Sequence, residues 1–94
     1  MNLDKKIAAE IISLAQIHGV KKVILFGSRA KGTNSDRSDI DIAISGGDFF
    51  SFAEDVDEKT NTLLKFDVVN LDKNISSKFR AEIENNGVLI YETL

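Results

Sequence analysis

The stretch GSRAKGTNSDRSDID, residues 27 to 41, decides how this chain is read. It follows an apolar run, Val23-Ile24-Leu25-Phe26, and joins two features that are ordinary apart and informative together. The first is Gly27-Ser28. Glycine lets a backbone approach a ligand with no side chain in the way. The Ser28 hydroxyl and N–H stand at the expected start of a helical turn, where anions are favoured. The second feature is the pair Asp39 and Asp41. Residues two apart in a strand project from one face, with Cα atoms roughly 6.5–7 Å apart. The two carboxylates therefore share a face, while Ile40, Ile42 and Ile44 fill the other. Carboxylates that close repel each other unless a cation lies between them. Mg²⁺ takes few carboxylates and keeps its other positions for water and phosphate oxygens. A turn that holds phosphates and an acid pair that holds a divalent metal are what chemistry on a nucleoside triphosphate needs. Gly-Ser alone is a tight turn, and a bare Asp-x-Asp is more often a solvated strand face, so the coincidence carries the reading.

Two other phosphate- and metal-binding patterns fail on inspection. The P-loop needs a lysine after its last glycine, whereas Gly32 is followed by Thr33 and Asn34. A calcium loop beginning at Asp36 would need an oxygen ligand and a glycine where Ile40 and Asp41 stand. Arg29 and Lys31 add positive charge near the turn, suited either to phosphates or to a solvated helix surface.

Outward from this stretch, helical and extended periods alternate. Leu3, Ile7, Ile11 and Leu14, with Ala8, Ile12 and Ala15 beside them, predict a helix over residues 3–18 that stops at Gly19. Residues 23–26 predict a short strand buried on both faces. A helical turn is expected from Arg29, then the polar loop TNSDRS, then a half-buried strand over 39–44 ended by Gly46 and Gly47. Phe49, Phe52, Val56 and Leu63 place a helical stripe over 49–64. FDVVNL at 66–71 reads as a third strand. Residues 76–86 read as a helix with Phe79 and Ile83 inward and Gly87 as its stop, and VLIY at 88–91 as a short extended tail or edge strand. With no proline, no repeat and no low-complexity linker, one domain over residues 1–94 is expected. The fold class is α/β or α+β, a small mixed sheet flanked by helices.

Composition removes several alternatives. There is no cysteine, hence no disulfide, thiolate catalysis or Cys-based zinc site. The single histidine, His18, argues against a histidine metal site or a Ser-His-Asp triad. No apolar run approaches the ~20 residues that span a bilayer, and MNLDKKIAAEII lacks the apolar core of a signal peptide. A soluble cytoplasmic protein with no membrane contact is expected. The net charge of −3 argues against direct nucleic-acid binding.

The string from Gly27 to Asp41 fits the signature Gly-Ser, ten residues, Asp-x-Asp without gap or substitution. In this the whole chain, through NNGVLIYE, resembles the minimal nucleotidyltransferases, small members of the DNA polymerase β-like superfamily. The resemblance implies that fold and a nucleotidyltransferase activity. It implies that Gly27, Ser28 and the neighbouring Arg29 bind the nucleotide, and that Asp39, Asp41 and Asp67 are catalytic and bind two Mg²⁺ ions. Asp67 matches the family's third carboxylate and would serve the metal that activates the attacking hydroxyl. The implied reaction takes a nucleoside triphosphate, expected to be ATP, and releases pyrophosphate. Larger relatives carry a domain that recognises the acceptor; with one domain here, the acceptor surface is expected to be missing or to lie on a partner. The resemblance points to a HEPN-domain toxin, a hetero-oligomer of toxin and antitoxin, and transfer of AMP to a toxin tyrosine. The acid-rich stripe Glu54, Asp55, Asp57 and Glu58 suits a basic partner or simply water. The alternatives are a binding module that neutralises its partner by occlusion, and a small-molecule nucleotidyltransferase.

Overall fold

The alternating periods become eight elements in the computed structural model, which describes residues 1–93. In chain order these are α1 (Lys5–Ile17), β1 (Lys22–Phe26), α2 (Gly27–Lys31), β2 (Ile40–Ser45), α3 (Phe49–Lys59), β3 (Phe66–Asn70), α4 (Ser77–Asn86) and β4 (Val88–Glu92). The strands form one mixed sheet in the order β3-β2-β1-β4. β1 runs antiparallel to β2 and β4, and β2 runs parallel to β3. The parallel pair needs a crossover, which α3 supplies. VLIY is thus an edge strand, within β4.

The strand period of two sorts the core into two layers. Val23, Leu25, Ile40, Ile42, Ile44 and Phe66 meet Ile7, Ile11 and Leu14 of α1 and Phe52 and Val56 of α3. On the opposite face Ile24, Phe26 and Ala43 meet Ile83 of α4, with Leu71 at the end of β3. The first cluster joins thirteen buried residues and the second five, so the α1/α3 side carries most of the apolar burial. Each fully buried Leu or Ile contributes ~1.5–3 kcal/mol. The α4 face is thinly covered and leaves the ends of β2 and β3 open to a polar site. No helix among the described residues is long and apolar enough to cross a membrane.

Several boundaries differ from the sequence expectation. α1 begins at Lys5 because Asp4 caps it, accepting from the N–H groups of Lys6 at 2.7 Å and Ile7 at 3.4 Å. α2 begins at Gly27, not Arg29. β2 begins at Ile40, so Asp39 precedes the strand, and the strand is buried on both faces because Ala43 is fully covered. The helix expected over 49–64 ends at Lys59: Thr60 is extended and buried, and its hydroxyl donates to the Val56 carbonyl. Leu63 therefore leaves the helical stripe and is completely exposed. Phe79 is only partly covered, packing edge-on against Phe26 with ring centroids 5.8 Å apart, while Ile83 is fully buried as expected.

Candidate active site

The sheet lines up the candidate residues across three strands. Asp41 is paired in register with Phe26 on one side and Asp67 on the other. Paired residues share a face, and neighbouring strands lie ~4.8 Å apart. Asp41 and Asp67 thus stand side by side on the α4 face, and Gly27 follows Phe26 at the end of the same row. Gly27 has φ +73°, and a Cβ there would overlap the Asp41 carboxylate, lying 3.1 Å from Cγ. The glycine is required twice, for its left-handed backbone and for the space the carboxylate occupies.

The electrostatics of this row are unbalanced. Burial raises the Asp41 carboxyl above its ordinary pKa of 3.8, and the nearby charges of Asp67 and then Asp39 push it further the same way. Three carboxylates face one site, and among the described residues none of them forms an ion pair. Among the described residues, the one group of three acids whose oxygens all lie within 4.8 Å of one another is Glu54, Asp55 and Glu58 on α3, so Asp39, Asp41 and Asp67 do not close around a single point. The donor set fits a hard divalent cation, since all three groups are carboxylates and each is held by a different part of the sheet end.

The opposite charge preference lies one residue away. α1, α3 and α4 are each capped by a side chain, from Asp4, Asp48 and Ser76. α2 has Phe26 at its cap position, which offers no such bond. Among the described residues no side chain accepts from the first N–H groups of α2, which are left for another acceptor. Ser28 is half-buried beside them. Donors for an anion thus adjoin carboxylates for a cation, the arrangement a metal–triphosphate demands.

Residues 9–93 match the family described as Polymerase beta, Nucleotidyltransferase. The chain belongs to that nucleotidyltransferase family. A relative from Methanocaldococcus jannaschii, named as an inferred protein adenylyltransferase, is 36% identical over 81 residues, covering 77% of this chain and 79% of its own. Among solved structures, a toxin–antitoxin crystallised with AMP-PNP superposes with a TM-score of 0.74 at 24% identity, over 92% of this chain and 73% of that one. A variant of the MntA-HpeT toxin–antitoxin superposes with a TM-score of 0.71 at 25% identity, over 98% and 75%. This nucleotidyltransferase is accordingly an enzyme with a mixed sheet flanked by helices.

Two basic side chains of the nucleotidyltransferase beside the turn have partners within the protein. Arg29, expected beside the phosphates, is 7% exposed and turned under the loop before β2. Its guanidinium donates to the carbonyls of Ser38 at 3.0 and 3.1 Å, Asn2 at 3.2 Å and Asp36 at 3.3 Å. Four bonds commit the fork to backbone, so Arg29 holds the loop that carries Asp39. Lys31 pairs with Glu82 of α4 at 2.9 Å, tying α2 to α4. The acid stripe on α3 is likewise engaged: Asp55 lies 2.6 Å from His18 Nε2 and 3.4 Å from Lys59 Nζ. The sequence reading missed the loop-holding role of Arg29; its signal was a lone arginine three residues past the strand, which charge alone does not interpret.

Proposed function

We propose that this nucleotidyltransferase is an antitoxin that transfers AMP from ATP to a tyrosine hydroxyl of a HEPN-domain toxin and so silences it. One observation carries the reading: Asp41 stands in register with Asp67 and against Gly27, so phosphate-binding backbone and paired carboxylates share a single row. The named adenylyltransferase relative and the toxin–antitoxin neighbours support the acceptor class.

The chain's own residues divide the work. Gly27, Ser28 and the uncapped start of α2 hold the outer phosphates. Asp39, Asp41 and Asp67 would hold Mg²⁺, which when bound offsets phosphate charge and lowers the pKa of the acceptor hydroxyl. The acceptor oxygen attacks the α-phosphorus, forming the ester bond. The bond from that phosphorus to the bridging oxygen breaks, and pyrophosphate leaves with the electron pair. The hydroxyl proton passes to a carboxylate oxygen of Asp67, which is exposed and releases it to water.

The test is co-expression with the product of the neighbouring gene, scored by growth and by intact mass. The parent is expected to add AMP to the partner and restore growth. Asp39→Asn with Asp41→Asn keeps the apolar side of β2 and is expected to bind the partner without modifying or silencing it. Full protection by that variant, with no mass change in either case, refutes catalysis and leaves a binder that works by occlusion.

A further inference from the structure

In-line displacement gives the active site a direction. The attacking oxygen and the leaving oxygen lie on opposite sides of phosphorus. The pyrophosphate side is fixed by Gly27 and Ser28 at the end of β1, and the acids run from there through β2 to Asp67 on β3. The acceptor therefore enters on the side of the acid row away from Gly27.

A groove of about 670 Å³ lies at the start of β2 and β3, lined by Arg37, Asp39, Thr62, Leu63, Leu64 and Lys65. Its lining includes Asp39, so it is continuous with the acid row. The walls are built before any ligand arrives. Ile40 N–H donates to the Lys65 carbonyl at 2.9 Å. Leu64 N–H donates to Thr62 Oγ1 at 3.1 Å, and Asn61 N–H to Glu10 Oε2 at 2.7 Å. Arg29 fixes the opposite wall through the carbonyls of Asp36 and Ser38, which flank Arg37.

The chemistry of the lining selects an occupant. Leu63 is completely exposed, so its whole side chain gains by contact with an apolar group. Arg37 and Lys65 are exposed, and neither forms an ion pair among the described residues. On a chain of net charge −3 they form a local basic rim. We propose that this groove receives the acceptor segment of the partner protein. The segment carries a hydroxyl-bearing aromatic side chain that packs on Leu63 and Leu64, and acidic neighbours that meet Arg37 and Lys65. The inference rests on the adenylyl-transfer reading and adds to it where the acceptor binds and what sequence it has.

The experiment measures AMP transfer to the neighbouring gene's product by the parent, Leu63→Asp, and Arg37→Glu combined with Lys65→Glu. An oligoribonucleotide with a free 3′ hydroxyl serves as a second acceptor. All three positions are exposed, so the variants keep the fold, which circular dichroism checks. The expected result is a rise of about tenfold or more in KM for the protein acceptor, the effect of losing an interface anchor, with kcat and the KM for ATP within about twofold. If the parent modifies its partner and both variants keep the parental acceptor KM, the groove assignment falls and the transfer reading stands. If the parent labels only the oligoribonucleotide, both fall.

Discussion

Replacing Asp41 with Asn should stabilise the metal-free protein while abolishing transfer. Asp41 is half-buried and paired in register with Asp67, with Asp39 two residues upstream. Residues paired on neighbouring strands have Cβ atoms about 4.5–5.5 Å apart, so the two charges interact across about 6 Å. Two unit charges at that distance repel by about 0.7 kcal/mol in water and about 2.8 kcal/mol at a near-surface dielectric. Asp67 is exposed, so screening favours the lower end, and about 1 kcal/mol is expected from Asp41→Asn. For a domain of this size that raises Tm by ~4–8 °C. The pH dependence identifies the cause. A carboxyl whose pKa is raised on folding holds its proton more tightly in the folded state. The fold therefore loses stability as pH rises from the unfolded value, near 3.8, through the raised folded value. The advantage of Asp41→Asn should be absent below that window, grow across it and stay constant above. Thermal unfolding in EDTA across this range measures it, and repetition with Mg²⁺ should stabilise the parent more than the variant. A variant less stable than the parent at neutral pH, or an advantage unchanged by pH, refutes the argument.

Gly27→Ala forces a side chain into a left-handed backbone, at about 1–2 kcal/mol, and displaces the Asp41 carboxylate; calorimetry with ATP and Mg²⁺ should show binding lost while urea unfolding shows a moderate decrease. Arg29→Lys keeps charge but not the fork, so the Ser38 and Asp36 carbonyls lose partners; the expected cost is about 2–3 kcal/mol, with faster amide exchange over residues 33–39. His18→Ala removes the main cause of the lowered Asp55 pKa; the carboxyl should titrate closer to 3.8, and the stability it confers above that pH, lost as pH falls through its depressed value, should shrink, as NMR titration and acid unfolding would reveal.

Much of the architecture was legible because its signals are local. Val23–Phe26, the isoleucines of β2 and the Asp39-x-Asp41 spacing encode strands directly, and Gly27-Ser28 encodes the turn between them. What was not legible depends on partners distant in sequence. Thr60 ends α3 by turning its own hydroxyl back to Val56, which a helical stripe extended to Leu63 cannot reveal. Ala43 is small enough to read as neutral, yet it lies under Ile83 of α4 and completes burial of β2. The carbonyls around Arg29 come from Asn2, Asp36 and Ser38, which local sequence does not bring together. The pairing of Asp41 with Asp67 needed the parallel register of β2 and β3, which periodicity does not specify.

Arg29 grips its loop entirely through carbonyl oxygens. Every residue has a carbonyl, so the grip is indifferent to the side chains between Thr33 and Arg37. Such a loop can change its outward chemistry by mutation while Asp39 stays in place. Loop surface and carboxylate geometry are thereby separable in evolution: a lineage can exchange Arg37 for another residue without rebuilding the acid row beside it.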